Sequence, residues 1–361
     1  MSTDKPTVVV TGIAGNLGLR LLRQLGDFSV VGLDRKPPVT DLPLRFQAMD
    51  LEQEESTRQL FLLLRDIRPV AVVHLAFVID PVRTGILDLD RMWRINVPGT
   101  ARVMEAITEA NRSEDCVQQF IFPSSVSVYG SNTSRAATED SRLGAHTLPY
   151  AMHKQQSDEV VQLRAPSLRN CSAYILRPHI FAGATVDNYL LGAFRGTPNG
   201  TGKWAGRLRA RHTRLPCILP MGRNYLEHRI QFVHVDDMAR LIAHILRIQN
   251  PAPQRLTVLN VAGRGEPLTF GRCIEIAQAR LLRIPTRWAF GLALQFLWKM
   301  GISAVPPEAE PYIAGEYIVD TSKLRSFLGN DYEKVIQFTV EEAFADCFQA
   351  AGSGSRAGAL T

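Results

Sequence analysis

The sequence predicts an α/β protein with a doubly wound parallel sheet and a smaller second domain, and three observations lead to this fold class. Short apolar segments alternate with amphipathic segments through the first half of the 361-residue chain. A glycine-rich turn joins the first apolar segment to the first amphipathic one. The alternation stops near residue 180, which predicts that the later part of the chain builds a separate domain.

Each element follows from the local pattern of apolar residues. The predicted strands are 8–10, 28–33, 45–50, 70–75, 120–123, 173–176, 232–235, 257–261 and 317–320. The predicted helices are 17–25, 56–67, 97–109, 150–163 and 237–246. Residues 183–225 are predicted to be irregular or partly helical, and residues 268–313 to be helices and loops.

These elements divide the chain into two interleaved domains and a tail. The larger domain is predicted to comprise residues 1–179, 231–264 and 316–350. Residues 180–230 and 265–315 form a smaller, discontinuous substrate-binding domain over the carboxyl edge of the sheet. Residues 351–361 lack apolar periodicity and are predicted to be disordered.

Charge and hydrophobicity exclude several classes of protein. A formal net charge of +6 is spread too thinly to indicate nucleic-acid binding. The N-terminus lacks the pattern of a secretory signal. The most apolar later stretch, Trp288 to Met300, contains Gln295 and Lys299 and is shorter than the ~20 residues that span a bilayer. We therefore expect no integral membrane segment. Peripheral membrane contact stays open for this stretch, and a buried or lid helix is favoured over it.

The cysteines and histidines favour a cytoplasmic protein without a metal site. The five cysteines are scattered and show no C-x-x-C spacing, which indicates free thiols in a reducing compartment. No pair of histidines has the spacing of metal ligands within one element.

The glycine-rich turn predicts a dinucleotide site of the Rossmann type. Thr11 to Gly18 follows the first strand and opens the first helix. In this context Gly12 permits the tight turn, Gly15 lets the backbone approach a pyrophosphate, and Gly18 allows close packing of helix and sheet. The helix start offers free N–H groups and a positive dipole end to the phosphates. The predicted contacts in the turn are Gly12, Ala14, Gly15, Asn16, Leu17 and Gly18.

An acidic residue at the end of the second strand favours NAD over NADP. Asp34 lies about 20 residues after the turn, where a carboxylate accepts hydrogen bonds from the ribose hydroxyls and repels a 2′-phosphate. Arg35 and Lys36 argue the other way, because cations accommodate that phosphate. Asp50 and Leu51, just after the third strand, suit contact with adenine.

The catalytic candidates are a tyrosine and a lysine that share one face of a predicted helix. Tyr150 and Lys154 are four residues apart, and a nearby ammonium group, helped by the positive nicotinamide ring, would lower the pKa of the phenol toward working pH. Phe122 to Gly130 follows a strand that ends at the same edge of the sheet, and a serine hydroxyl there can bond the substrate oxygen that Tyr150 protonates.

The chain resembles the extended short-chain dehydrogenase/reductases, the NAD-dependent epimerase/dehydratase family, over nearly its whole length. Beyond the turn and the Tyr–Lys pair, the matching stretches are His74-Leu75-Ala76, Asn96-Val97-Pro98-Gly99-Thr100, Leu176-Arg177-Pro178, Phe232-Val233-His234-Val235-Asp236-Asp237 and Asp320-Thr321-Ser322-Lys323-Leu324.

This resemblance implies a role for each matching residue. Ser125 would be the catalytic serine, Tyr150 the acid/base, Lys154 the residue that tunes Tyr150 and holds the nicotinamide ribose, and Asn96 a support of the proton relay. The further predicted cofactor contacts are Leu75, Ala76, Asn96, Tyr150, Lys154, Pro178 and His179. The predicted substrate contacts are Phe77, Ser125, Ser127 and Tyr150.

The serine segment narrows the reaction to hydride chemistry. Related 4,6-dehydratases carry an Asp-Glu pair where Val126 and Ser127 stand here, and epimerase-reductases carry a cysteine where this chain has Ser127. Three reactions remain as candidates: oxidation of a secondary alcohol, reduction of a ketone, and oxidation followed by re-reduction as in 4-epimerases. A non-catalytic NAD-binding sensor is a remote alternative, because such relatives typically lose the tyrosine or the lysine.

The substrate class stays open between a nucleotide sugar and an apolar ketone or alcohol. Ile180, Ile230 and Gln231 replace polar residues that sugar enzymes of the family often carry. A basic loop could instead hold phosphate groups or be merely solvated; its cations are Lys203, Arg207, Arg209, Arg211 and Arg214. Pairing of helices 97–109 and 150–164 across a two-fold axis would give a homodimer, as in many relatives.

Overall fold

A seven-stranded parallel sheet forms the centre of the computed structural model, which describes residues 5–79, 88–113, 116–133, 135–248 and 256–349. Its strands in chain order are β1 (Thr7–Thr11), β2 (Ser29–Asp34), β3 (Arg45–Ala48), β4 (Ala71–His74), β5 (Gln119–Pro123), β6 (Ser172–Pro178) and β11 (Leu256–Val261). They lie in the order β11-β6-β5-β4-β1-β2-β3. The order reverses beside β1, so that a crevice opens at the carboxyl ends of β1 and β4.

Helices cover both faces of this sheet. The α-helices of the described residues are α1 (Asn16–Gln24), α2 (Glu55–Ile67), α3 (Leu89–Ser113), α4 (Pro149–Arg164), α5 (Tyr189–Arg195), α6 (Lys203–Ala210), α7 (Val235–Leu246), α8 (Phe270–Ala277), α9 (Arg287–Lys299), α10 (Glu310–Ala314), α11 (Ser322–Leu328), α12 (Tyr332–Val335) and α13 (Val340–Asp346). One core packs α1, α7, α11 and α12 on one face, and a second core packs α2, α3 and α4 on the other. Alternate residues of β1 enter the two cores, with Val8 and Val10 on one side and Val9 on the other.

Short strand pairs accompany the main sheet. The remaining strands are β7 (Ile180–Ala182), β8 (Cys217–Pro220), β9 (Arg229–Ile230), β10 (Phe232–His234), β12 (Leu268–Thr269) and β13 (Leu281–Ile284). They pair as β7 with β10, β8 with β13 and β9 with β12. Since β8 and β13 come from the two segments that the sequence assigns to the smaller domain, their pairing ties those segments together.

Two sequence-based expectations about elements are wrong, and two predicted helices differ in extent or burial. The basic stretch that we expected to be a loop is helical from Lys203 to Ala210. Residues 317–320 make only an isolated bridge, between Val319 and Ala137, instead of a strand. The helix expected at 97–109 runs from Leu89 to Ser113 and continues through Pro98. The apolar stretch at 288–300 is a helix, but it is not fully buried, because Trp288 is 75% exposed.

The remaining global features concern thiols, membranes and the tail. All five cysteines are free and buried. None of the helices in the described ranges has the combination of length and apolar character needed to cross a membrane. The predicted disordered tail, residues 351–361, lies outside the described residues.

Candidate active site and dinucleotide cleft

The glycine turn after β1 has the geometry that a dinucleotide needs. Gly12 has a φ of +73°, and a Cβ on it would lie 2.5 Å from the backbone nitrogen of Ala76. A Cβ on Gly18 would lie 2.6 Å from the carbonyl oxygen of Ile13. Gly15 is exposed and precedes α1, whose first turn has no side-chain cap and no acidic residue. The first N–H groups of α1 therefore point at a site suited to a diphosphate.

Asp34 lies beside this turn, as the sequence predicts. Its carboxylate accepts hydrogen bonds from the N–H groups of Ala14 at 3.1 Å and Arg35 at 2.7 Å. The side chains of Arg35 and Lys36 are exposed. Because the carboxylate keeps further acceptor capacity at the turn, the residues present fit a ribose with a free 2′-hydroxyl.

Asp50 and Leu51 follow β3 at the same edge. The Oδ1 atom of Asp50 accepts from the N–H of Glu52 at 3.0 Å, and Leu51 is buried. Neither residue caps α2, which begins at Glu55. Contact of this pair with adenine stays a prediction.

A buried chain of hydrogen bonds holds the segment after β4, and the sequence reasoning missed its polar members. The Thr11 hydroxyl lies 2.7 Å from Nδ1 of His74 and accepts from the N–H of Ala76 at 3.2 Å. Nε2 of His74 lies 3.1 Å from the Thr100 hydroxyl, which donates to the carbonyl of Asn96 at 2.7 Å. Because the Thr100 hydroxyl proton is used by Asn96, Nε2 of His74 carries a proton, and in the neutral ring Nδ1 accepts from the Thr11 hydroxyl.

Electrostatics agree with that tautomer. Burial, with a smaller contribution from the Lys154 ammonium, lowers the pKa of His74 to about 3. These hydrogen bonds therefore fix the backbone of Leu75 and Ala76, the segment that the sequence predicts to contact the cofactor.

Asn96 has different partners from those that the proton-relay role would need. Its Oδ1 accepts from the N–H of Val78 at 2.7 Å, and its Nδ2 donates to the Val78 carbonyl at 3.0 Å. Its own carbonyl accepts from Thr100 and, at 3.2 Å, from the Ser157 hydroxyl. Fully buried, Asn96 braces the segment that carries Phe77, and this bracing is the role that the geometry supports.

The serine turn brings Ser125, Ser127 and Tyr150 together. Ser125 accepts from the hydroxyl of Ser127 at 2.9 Å and from its N–H at 3.2 Å. The Ser125 hydroxyl also lies near enough to the Tyr150 phenol to lower its pKa. Beneath it, Ser124 donates to the Asp158 carboxylate at 2.6 Å, which ties the turn to α4. Three of the four predicted substrate contacts therefore form one polar cluster.

Lys154, one turn after Tyr150 on α4, is buried and directed at Pro123 and Phe77. Its Nζ donates to the Pro123 carbonyl at 2.6 Å and lies 3.7 Å from the ring centre of Phe77. Burial lowers the pKa of Lys154 to about 7, although the Asp158 carboxylate opposes this.

The expected lowering of the pKa of Tyr150 does not occur in the protein without cofactor. Burial raises that pKa to about 12, and the Ser125 hydroxyl opposes the rise only in part. Lys154 makes no contribution, because its ammonium group is directed at Pro123 and Phe77. Because the expectation also relied on the positive nicotinamide ring, it stays a prediction for the enzyme with bound cofactor.

A buried ion pair supports the catalytic helix, and the sequence reasoning did not find it. Arg177 on β6 makes two hydrogen bonds of 2.9 Å to Asp158, and both side chains are almost completely buried. Arg177 also donates to the Tyr129 hydroxyl at 2.8 Å, which in turn donates to Asn260 at 2.7 Å. In the sequence, only the Arg-Pro pair at the end of a buried strand could have indicated this ion pair.

His179 does not present a free ring to the cleft. Its Nε2 donates to the Tyr317 carbonyl at 2.9 Å, and its Nδ1 accepts from the N–H of Ile180 at 3.0 Å. Burial lowers the pKa of His179 to about 4, and its ring stacks on Tyr317. Any contact of Pro178 and His179 with the nicotinamide would therefore come from backbone or ring edge.

The substrate side of Tyr150 is aromatic and aliphatic. Tyr150 packs into a cluster formed by both segments of the predicted smaller domain; its members include Leu148, Tyr189, Ile218, Tyr225, Phe290, Leu294, Tyr312, Ile313 and Tyr317. Phe77 contacts Tyr150 edge to face, with ring centres 6.1 Å apart. In the described part of the chain, no cationic group shifts the pKa of Tyr150 or Tyr317.

This geometry agrees with the family whose sequence model matches the chain. The model of the NAD dependent epimerase/dehydratase family matches residues 8–262. The chain belongs to this family. The predicted family, the Rossmann-type fold, the assignment as an enzyme of this class and NAD as the cofactor are thereby confirmed.

Individual relatives are distant. UDP-glucose 4-epimerase of Drosophila melanogaster is 23% identical over 257 residues, which cover 65% of this chain and 70% of the relative. An uncharacterised epimerase/dehydratase of Staphylococcus aureus is 24% identical over 164 residues, and the match spans about half of that protein, 47%.

Solved structures share the fold over almost the whole chain. UDP-glucose 4-epimerase of Thermus thermophilus, in complex with NAD, has a TM-score of 0.63 at 18% identity, covering 96% of this chain and 99% of the other. MoeE5 in complex with UDP-glucuronic acid and NAD has a TM-score of 0.62 at 20% identity, covering 94% and 97%.

Proposed function

We propose that this enzyme oxidises a secondary alcohol, or reduces the corresponding ketone, on an apolar molecule, with Tyr150 as the acid/base. The observation that carries the proposal is that the Ser125 hydroxyl, which lowers the pKa of the Tyr150 phenol, lies beside it at the edge of a cluster of aromatic and aliphatic side chains. Ser125 and Tyr150 can therefore act on one substrate oxygen, while the surrounding apolar side chains would pack against the rest of an apolar substrate.

The roles of the side chains follow from their contacts. Bound NAD supplies the acceptor of the hydride in oxidation and, when reduced, its donor in the reverse direction. As the substrate C–H bond breaks in oxidation, Tyr150 takes the hydroxyl proton; in reduction it returns a proton to the carbonyl oxygen. Ser125 donates a hydrogen bond to the same oxygen, and Ser127 orients Ser125.

The cofactor contacts remain part of the proposal. Gly12, Ala14, Gly15, Asn16, Leu17 and Gly18 would hold the diphosphate. Asp34 would hold the adenine ribose, and Asp50 and Leu51 the adenine. We assign Lys154 to the nicotinamide ribose and Asn96 to bracing the segment of Leu75, Ala76 and Phe77.

A nucleotide-sugar 4-epimerase is the second candidate, since relatives of that activity share both sequence and fold. Two contacts weigh against it. The Gln231 side chain bonds the backbone of Val319 through both its amide nitrogen, at 3.2 Å, and its oxygen, at 2.8 Å. Arg229 pairs with Glu316 at 2.8 Å, so that a diphosphate would have to compete with this carboxylate.

A substrate panel separates the two candidates. Purified enzyme is offered NAD(H) or NADP(H) with apolar cyclic ketones and alcohols, or with UDP-glucose and UDP-glucuronic acid. We expect a change in reduced-nicotinamide absorbance with apolar substrates and NAD(H). Formation of the 4-epimer of a UDP-sugar without net redox would establish the second candidate instead. Intact NAD binding with no hydride exchange would establish a sensor.

The predicted assembly, domain division and location are also proposals. The tyrosine-rich cluster supports the smaller domain of 180–230 and 265–315, because it joins Tyr189 and Phe290 to Tyr150. Packing of α3 on α4 supports a homodimer built on these helices. Five free thiols support a reducing, cytoplasmic location.

A further inference from the structure

Two segments of the chain carry an unusual charge. Residues 188–226 and 276–307 contain 11 arginines and lysines and no aspartate or glutamate. The whole chain has 41 basic and 35 acidic residues, so that 30 basic and 35 acidic residues remain outside these segments. The positive net charge of the protein therefore comes from this part alone.

The two segments form one continuous region of the structure. Strands β8 and β13, one from each segment, pair in parallel, and α9 packs against β8. The N–H of Gly202, just before α6, donates to the carbonyl of Gly301, just after α9, at 2.9 Å. The start of α6 therefore lies beside the end of α9.

Exposed apolar side chains lie in the same region. Among the described residues that follow Leu163 in the sequence, every exposed large hydrophobic residue belongs to these two segments. They are Trp204, Met221, Leu282, Trp288, Leu292, Phe296 and Met300. On α9, Trp288, Leu292 and Phe296 are spaced four residues apart and share one side. Trp288 is 75% and Phe296 60% exposed, whereas Phe290 and Leu294 of the same helix are buried.

Several cations of the region have no acidic partner. No carboxylate in the described ranges pairs with Lys203, Arg211, Arg214, Arg280 or Lys299, which are all exposed. The guanidinium of Arg207 lies over the Trp204 ring, 5.2 Å from its centre. We call this combination of exposed apolar side chains and unpaired cations the basic apolar face.

We propose that the basic apolar face docks onto a lipid bilayer that contains anionic headgroups. Tryptophan, phenylalanine and leucine beside lysine and arginine are the composition of helices that lie in a membrane interface. The 13 residues of α9 extend only about 20 Å, so that the helix lies along the surface and does not span the bilayer.

Other occupants fit the face less well. Two copies related by a two-fold axis would place one positive surface against another. A nucleic acid would satisfy the cations, but it would leave Trp288, Leu292 and Phe296 without apolar cover.

A cavity beneath the basic apolar face connects this face with the surroundings of Tyr150. About 300 Å³ of mainly apolar space lies between α5, β8, β13 and α9. Leu282 and Phe296 line this cavity and are also exposed, so that the cavity opens at the face. Tyr189 lines the cavity and belongs to the cluster around Tyr150. An apolar molecule that leaves the bilayer at this face would therefore enter next to the active site.

Vesicle co-sedimentation of the purified 361-residue chain tests the docking without any need for turnover. The probes are vesicles of phosphatidylcholine alone and vesicles of phosphatidylcholine with phosphatidylserine. We expect binding to the anionic vesicles, weakening as salt is added, and little binding to the neutral ones.

Two double variants locate the contact. Trp288→Ser with Phe296→Ser should weaken vesicle binding about tenfold or more, because both side chains lose their apolar burial. Arg211→Gln with Arg214→Gln should weaken it roughly fivefold for each arginine that reaches the surface.

A third double variant is the matched control. Arg58→Gln with Leu62→Ser changes an exposed cation and an exposed apolar residue on α2, away from the face, and should bind vesicles like the wild type. Unchanged NAD binding shows that each of the three variants is folded.

Four results would overturn the proposal. The first is equal affinity for neutral and anionic vesicles, or none for either. The second is wild-type binding by both variants of the face. The third is a change from dimer to monomer in sedimentation of the Trp288/Phe296 variant, which would make the face a contact between copies. The fourth is binding to single-stranded DNA in place of vesicles.

Discussion

Tyr150 is held as a neutral phenol until another positive charge arrives. Burial raises its pKa to about 12, while burial also lowers the pKa of Lys154 to about 7 and the lysine contacts Pro123 instead of the phenol. Oxidised NAD carries a positive nicotinamide ring, and its charge would favour the phenolate. Cofactor binding and activation of the tyrosine are therefore coupled at this site.

Replacement of Tyr150 by phenylalanine should remove turnover and spare cofactor binding. The change deletes the hydroxyl that moves the proton but keeps the ring that packs against Phe77. We expect the turnover number to fall by about 10²–10⁴, the range for loss of a general acid/base. Tyr332→Phe is the matched control, since Tyr332 is buried in the core at the far side of the sheet. Full activity in Tyr150→Phe would exclude the tyrosine from the mechanism.

Lys154 makes the stability of the enzyme depend on pH. Its pKa is about 7 in the folded protein against the ordinary 10.5, so the unfolded chain holds a proton between these values that the folded protein has released. Stability should therefore rise with pH in this window, by up to about 1.4 kcal/mol per pH unit. Denaturant unfolding of wild type and Lys154→Met from about pH 7 to about pH 9 isolates this effect. Parallel pH profiles of the two proteins would contradict the assignment.

The residue types of the site could be predicted from the sequence, but their partners could not. Strand–turn–helix context places the glycine turn, Asp34, Ser125 and Tyr150 at one edge of the sheet. Which group Asn96 bonds depends on the path of the segment after β4, and this path is set by tertiary contacts. Likewise, burial determines the pKa of Tyr150, and no local pattern reports burial of a polar side chain.

At the scale of elements, the catalytic helix α4 is fixed to the sheet by charge. Asp158 lies one turn after Lys154, accepts from Ser124, and forms a two-bond pair with Arg177 of β6. The same carboxylate therefore sets the position of the serine turn relative to Tyr150.

Removal of one partner from this ion pair should lower the free energy of unfolding far more than replacement of both partners. Asp158→Asn leaves the Arg177 guanidinium buried without its counter-charge, so we expect a loss of about 3–5 kcal/mol in the free energy of unfolding. Asp158→Leu combined with Arg177→Met should recover much of that loss. Denaturant midpoints measure both effects. A single variant as stable as wild type would show that the pair does not anchor α4.

The turn before α1 should tolerate no side chain. Gly12→Ala combines a φ of +73° with a contact of 2.5 Å to the backbone of Ala76, so that it should displace the segment after β4 and abolish NAD binding. Gly26→Ala is the control, because a Cβ there meets nothing within 4 Å. Calorimetric titration with NAD compares them. Binding of NAD by Gly12→Ala at wild-type affinity would refute the assigned diphosphate site.

Some elements were predictable and others were not. The central strands follow from runs of β-branched residues, which suit a sheet buried on both faces. The helix at Lys203–Ala210 was missed because its glycine and many arginines resemble a solvated loop. The outward side of α9 was misjudged because apolar residues normally indicate burial, and only the structure shows that Trp288 and Phe296 face outward.

At the scale of the whole molecule, the chain divides its surface by charge and by exposed apolar groups. The basic apolar face belongs to the smaller domain, which also lines the substrate side of Tyr150. A different exposed apolar pair lies on the larger domain, where Trp93 of α3 and Leu163 of α4 are 42% and 80% exposed. Separate surfaces are therefore available for a membrane and for a second copy.

Substitution of Trp93 and Leu163 tests the homodimer prediction. The Trp93 indole donates to Gln156 of α4 at 3.0 Å, so that α3 and α4 present one joint surface. We expect wild type to sediment as a dimer at micromolar concentration, and Trp93→Glu with Leu163→Glu to sediment as a monomer, because buried like charges would repel across the two-fold axis. Leu62→Glu on α2 should stay dimeric, and NAD binding should survive in all three proteins. A wild-type monomer, or a dimer that both glutamates leave intact, would place the contact elsewhere or remove it.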